Sequence, residues 1–167
     1  MPFVAHQCRF LVTSAEAITA GLTDAHLALQ PAPGTKTAGW LIGHLAVTGD
    51  FGRRLCGRPL MCPREWQRAF NPGSHPSADA ASYPPMATLC ATLRSVYADL
   101  ITAGDAMDPA GLAAVNPFEP TRRNFATTGE FLQYLMTGHF AYHLGQLVAW
   151  RAVAGLPRVE RPDLGVP

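Results

Sequence analysis

The chain has little charge and no concentration of either sign. Only 15% of its 167 residues are Asp, Glu, Lys or Arg, and the formal net charge is +1. No basic run is longer than a pair, whereas a surface that grips nucleic acid needs a clustered excess of Lys and Arg. Nucleic acid is therefore not an expected partner. Cysteine is also scarce. Cys8, Cys56, Cys62 and Cys90 form no Cys-x-x-Cys pair, which argues against a zinc ribbon or a thioredoxin-type site. Four reduced thiols packed as small hydrophobes in a cytoplasmic protein are expected, with a Cys56–Cys62 disulfide as the alternative. No apolar stretch free of polar residues reaches membrane-spanning length, so no membrane association is expected. The N-terminus shows no charged region followed by the long apolar core of a secretory signal. Strand signals, internal repeats and low-complexity tracts are missing too.

What is present is apolar and helical. Hydrophobic residues make up 48% of the chain, enough for one compact domain over residues 1–167. Fifteen prolines fall between the periodic segments rather than inside them, so they mark the connections. Leu11, Ala15, Ile18, Leu22, Ala25 and Leu29 repeat at helical spacing and predict a helix over residues 4–29, stopped by Pro31, Pro33 and Gly34. A second helix is expected from about Thr37 to Leu55, with Thr35 or Thr37 as its cap. Met86, Leu89, Leu93, Val96, Tyr97 and Leu100 predict a third helix to about Ala103, with Gly104 as a C-cap. Thr127 and Glu130 match a capping box, and the fourth helix then runs to about Ala154, where Gly155 and Pro157 stop it.

Four long helices imply an all-α four-helix bundle. The short first connection makes helices one and two antiparallel neighbours. Residues 57–84 are long enough to recross the bundle, so helices two and three can run parallel, giving an up-down-down-up order. One helical turn is expected within that connector around Glu65 to Phe70, and Trp66 and Phe70 are expected to pin it to the bundle. A second long connector, residues 105–127, joins helices three and four. Arg122 and Arg123 near its end are expected to be solvated, as are Arg53 and Arg54 on the second helix.

Three histidines break the pattern of apolar stripes. His139 and His143 lie four residues apart, about 40° apart around a helix, within a face that also carries Leu132, Leu135, Gln146 and Trp150. His44 shares a stripe with Trp40, Val47, Phe51 and Leu55. Beside it, Gly43 costs roughly 1 kcal/mol of helix propensity relative to Ala, which suggests close approach of another helix or a ligand. A buried imidazole needs a partner. Hydrogen bonds from neighbouring side chains are one answer, and a metal ion is the other. His6, His26 and His75 lie on no such face and are expected to be ordinary, at least partly exposed histidines.

Other chemistries lack their residues. No glutamate has a histidine three positions later, as a ferritin-type di-iron site requires. There is no His-Glu-x-x-His motif, no Gly-x-x-x-x-Gly-Lys loop and no Gly-x-Ser-x-Gly elbow. Three neutral imidazoles with one open position are the donor set of a catalytic zinc site. The open position can hold water, with its pKa lowered towards about 7, or a substrate thiol as thiolate. No Cys, Asp or Glu lies on either His-bearing face to close the sphere, Asp50 being about 120° from His44 around the helix.

The stretch Gly39-Trp40-Leu41-Ile42-Gly43-His44-Leu45 resembles the Trp-x-x-Gly-His-Leu motif of the DinB superfamily. His139-x-x-x-His143-x-Gly-Gln-Leu, followed by Arg151 and Gly155-Leu156-Pro157, is similar to the last helix of that family. The resemblance covers nearly the whole chain. It implies an up-down-down-up four-helix bundle that often forms a homodimer, and it implies His44, His139 and His143 as ligands of a divalent metal. Zinc is the expected ion, with nickel, ferrous iron and manganese as alternatives. Some relatives are transferases that join a small thiol such as bacillithiol or mycothiol to an electrophile, and one branch isomerises maleylpyruvate. The implied function is thus a cytoplasmic, metal-dependent thiol transferase, with a low-molecular-weight thiol and an electrophile as partners. A hydrolase that activates water is a variant of the same site. The alternative is a non-catalytic bundle acting through association, its histidines a relic or a structural metal site. No catalytic residue beyond the metal ligands is indicated.

Overall fold

A computed structural model describes residues 1–159, so the last eight positions of the expected domain lie outside the described residues. Within them the protein is helical, with seven α-helices, three short 3-10 turns and one isolated bridge between Val115 and Thr127. The helices are α1 (Pro2–Thr19), α2 (Ala38–Leu55), α3 (Arg64–Phe70), α4 (Met86–Asp105), α5 (Pro109–Ala113), α6 (Thr128–Met136) and α7 (Gly138–Val153).

Helix α2 is the centre of the molecule. Ala38 through Asp50 are all buried, and α2 packs against α3, α4, α6 and α7. Thr37 caps it, its hydroxyl accepting the Trp40 amide at 3.2 Å. Two of its glycines make the tight packing possible. A Cβ on Gly43 would stand 2.7 Å from the Phe70 ring, and one on Gly49 would stand 2.7 Å from the Tyr97 ring. The close approach expected at Gly43 is thus that of α3. As expected, α3 supplies the helical turn within the first connector, and Trp66 and Phe70 bury against the core.

The first helix ends ten residues before the expected limit. Ala20 turns extended, Gly21 takes φ +75°, and Thr23 caps a 3-10 turn at Asp24–His26 instead. Two tertiary interactions stabilise this ending. The Asp24 carboxylate accepts the Met86 amide at 2.7 Å, capping α4 from a distance. The Arg151 guanidinium donates to the carbonyls of Ile18 and Ala20 at 3.0 and 3.1 Å, satisfying the C-terminus of α1.

The fourth expected helix is two. The capping box forms as the sequence implies, with Glu130 N–H on Thr127 Oγ1 and Thr127 N–H on Glu130 Oε2. The helix then breaks at Thr137, whose φ of −128° and ψ of −78° lie outside the helical region. Gly138 restarts it as α7, and Gly155 at φ +72° ends that helix. Gly104 is not the C-cap of α4 but lies inside its last turn, buried near Met136.

Arg53 is a second correction. It is buried rather than solvated, donating to Asp50 and, at 2.7 Å, to Asp99. Asp50 is fully buried and also accepts the amides of Met61 and Cys62, so the pair folds the first connector back onto α2. Arg54 is exposed, as expected. All four cysteines are free; burial pushes the Cys8 and Cys62 thiols up to about 12, so both stay protonated.

Removing one partner of a buried ion pair leaves an uncompensated charge, at a cost of about 3–5 kcal/mol. Asp50→Ala should therefore destabilise the protein by about that amount, read from the urea midpoint. A loss below about 1 kcal/mol would show that the pair does not tether the connector.

Candidate metal centre

The break at Thr137 and the packing of α7 against α2 bring the three histidines together. One ligand nitrogen from each of His44, His139 and His143 lies within 4.8 Å of the other two. His44 Nε2 and His139 Nε2 are 3.3 Å apart. The His143 ring stands 4.6 Å, centroid to centroid, from each of the others. His44 and His143 are buried at 3% and 8% exposure, whereas His139 is half-buried. The remaining histidines stay away from this cluster: His6 and His75 are exposed, and half-buried His26 accepts the Thr23 amide.

Hydrogen bonds decide which nitrogens face inward. The Phe70 carbonyl can only accept, so at 2.6 Å it fixes the proton of His44 on Nδ1. Gln146 Oε1 does the same for His143 Nδ1 at 2.8 Å. Both rings therefore leave Nε2 unprotonated, and that of His44 lies 3.3 Å from His139 Nε2. Such outer partners fix the tautomer and raise ligand basicity. His139 Nδ1 is buried without a partner.

The imidazoles are held neutral. Burial pushes His44 down to about 4, opposed by the Phe70 carbonyl and aided by His143 and Lys36. Burial, then the neighbouring His143 and His44, pushes His139 down to about 3. His143 is lowered by burial too, against the Gln146 hydrogen bond. All three imidazoles are thus neutral, the form that can bind a metal, at neutral pH.

This donor set suits a divalent ion. Two nitrogens at about 2.0–2.1 Å from a tetrahedral zinc lie about 3.3–3.4 Å apart, the separation seen between His44 and His139. Among the described residues no Cys, Asp or Glu joins the three histidines, so no fourth protein ligand closes the sphere.

The first long connector reaches the cluster directly, and the second only through Tyr134. From the first come the Phe70 carbonyl and Ser74, whose hydroxyl accepts Trp40 Nε1 at 2.9 Å. Trp40 stacks on His44 at 4.6 Å and 9°. From the second comes Phe125, stacked on Tyr134, which meets the His139 ring edge-on at 5.7 Å. Arg122 and Arg123 are exposed, with Arg122 Nε donating to the Asn116 carbonyl. The sequence pattern did not single out Tyr134, Phe125 or Lys36. Lys36 had a signal available, being the only lysine in the chain. A separate open groove of about 660 Å³ between α1 and α4, lined by Glu16, Asp24, Cys90 and Arg94, contains none of these groups.

The protein is helical and brings together three neutral imidazoles, two of them buried, in a group that could hold a divalent metal. The chain belongs to the DinB superfamily, whose family model matches residues 12–147. No curated protein and no solved structure gives a significant match.

The depressed imidazoles carry a pH signature. Their folded-state values of about 4 and about 3 lie below the ordinary 6.5, so the unfolded chain takes up protons first as pH falls. The metal-free protein should lose stability progressively from about pH 6.5 towards pH 3. Its melting temperature should fall across that window, and less steeply in the His44→Gln/His139→Gln double variant. Equal slopes would contradict the neutral-imidazole assignment.

Proposed function

We propose that His44, His139 and His143 hold a divalent metal, zinc first among the candidates, and that the protein is a thiol-dependent transferase. The carrying observation is the convergence of one ligand nitrogen from each histidine, with no Cys, Asp or Glu joining them among the described residues. When bound, the ion supplies a Lewis acid that lowers the pKa of a small thiol or a water at the open position. Phe70 and Gln146 keep the His44 and His143 rings oriented for it. Tyr134, edge-on to His139, gives the site an apolar wall against which an electrophile packs. The thiol sulfur would then attack a carbon of the electrophile, forming a carbon–sulfur bond as that carbon's leaving group departs with the bonding electron pair, while the thiol proton passes to solvent. The cysteines do not compete as nucleophiles, since burial raises all four thiols.

The same reading takes residues 1–167 as one domain with up-down-down-up order, α1, α2, α4 and the α6–α7 pair being its four helical units. Free cysteines fit a reducing cytoplasmic setting. No described helix is long and apolar enough to cross a membrane. A homodimer is supported by the outer face of α7, where Ala141, Tyr142, Gly145, Val148, Ala149 and Val153 are exposed without a charge among them.

Protein purified without a His-tag should carry close to one equivalent of metal per chain. His143→Ala should lose most of that metal while keeping its helical circular dichroism, because the core is supplied by the apolar stripes. Consumption of a thiol with a general electrophile should disappear together with the metal. Full metal without any thiol consumption would favour the non-catalytic bundle. For the dimer, Val148→Glu should shift the sedimenting species to monomer; an unchanged distribution would place any interface elsewhere.

A further inference from the structure

The chain contains a single lysine, and it lies over Trp40, the indole that stacks on His44. Lys36 sits just before α2, and its side chain reaches over the indole of Trp40, with Nζ 4.2 Å from the ring centroid. That indole in turn stacks on His44. The ammonium also donates to the Ser74 carbonyl at 3.3 Å, so the residues that hold Trp40 hold Lys36 as well. Its charge is felt at both His44 and His143, where it opposes protonation.

Placing a cation there is costly unless something uses it. It repels protons from the ligand cluster, and its long side chain is held half-buried. A lysine fixed only for stability would be expected to meet a carboxylate. Among the described residues none lies within ion-pair distance, although Asp50, Asp99, Asp105 and Glu16 all pair with arginines. One carbonyl uses one of the three N–H donors of the ammonium, so two remain for a visiting acceptor. The indole face holds the charge in place without neutralising it.

We propose that Lys36 recognises an anionic group on the small thiol used at this site, so that the co-substrate is an acidic thiol rather than a neutral one. The inference rests on the reading of the site as a thiol-binding metal centre. It adds a geometric requirement. The anion and the sulfur belong to one molecule, whose acid group must reach the ammonium over Trp40 while its sulfur reaches the histidine cluster. The recognition is by charge, because a rotatable ammonium does not impose the planar fork that an arginine would.

Lys36 is a binding residue on this account, and the test is a binding ratio. Cobalt(II)-loaded protein is titrated with 3-mercaptopropionate, 2-mercaptoethanesulfonate and 2-mercaptoethanol, following the thiolate-to-cobalt charge-transfer absorption. The ratio of anionic to neutral thiol affinity should fall about tenfold or more in Lys36→Met, as loss of a charge-assisted hydrogen bond implies, and should be retained in Lys36→Arg. Parallel behaviour of the carboxylate and the sulfonate would establish charge recognition; a loss confined to one would overturn it. An unchanged ratio in Lys36→Met, with the absorption band still present, would overturn the role of Lys36 alone. No band with any of the three thiols would overturn the thiol-binding reading and this inference with it. Reductive [13C]methylation provides an independent readout, since it labels only Lys36 and the N-terminus. The Lys36 resonance should move on adding 3-mercaptopropionate and not on adding 2-mercaptoethanol; equal movement with both would count against the assignment.

Discussion

The hydrogen bond from His44 Nδ1 to the Phe70 carbonyl, at 2.6 Å, holds the site together. It joins the central helix to the end of the short helix in the first connector, and it settles which His44 nitrogen is free to bind. Three other features depend on the same placement. Gly43 lets the Phe70 ring lie against α2, since any Cβ there would overlap it. The buried Asp50 and Arg53 pin the beginning of the connector, through the amides of Met61 and Cys62 and the Pro59 carbonyl. Ser74 and Trp40 fasten the segment that follows α3. A connector tethered at both ends can keep one carbonyl oriented to within a hydrogen bond, which a free loop cannot do at acceptable entropic cost.

The cluster is electrostatically unusual for the reason that makes it useful. Three imidazoles within 4.8 Å of one another cannot share charge in a buried space. Desolvation and mutual repulsion keep them neutral, so the chain presents lone pairs where an ordinary surface histidine near its ordinary pKa would be partly protonated. His139 Nδ1 is buried without a hydrogen-bond partner among the described residues.

Much of this was readable in the sequence. The three histidines stood out because they interrupt otherwise apolar helical stripes, and Thr37, Thr127 with Glu130, and Gly155 marked helix ends through capping chemistry that is local. What escaped was set by tertiary contact. Leu22, Ala25 and Leu29 continue the period of α1, yet the Arg151 and Asp24 bonds favour a chain that turns at Gly21. The periodicity of residues 128–153 runs smoothly through Thr137, so nothing local announced the break there. Arg53 lies off the apolar stripe of α2 and looked solvated, because burial of an arginine becomes tolerable only when Asp50 and Asp99 close around it. Lys36 lies outside any helix, and its significance comes from Trp40, which folds beneath it.

The central claim is that the three imidazoles bind one ion and leave a position open. X-ray absorption at the zinc edge, on tag-free protein loaded with one equivalent of zinc, tests it most directly. The account predicts about three nitrogen scatterers near 2.0–2.1 Å with the outer-shell pattern of imidazole, plus one light ligand from solvent, which a sulfur at about 2.3 Å replaces when 3-mercaptopropionate is added. A first shell of four protein ligands, or one unchanged by the thiol, would contradict it.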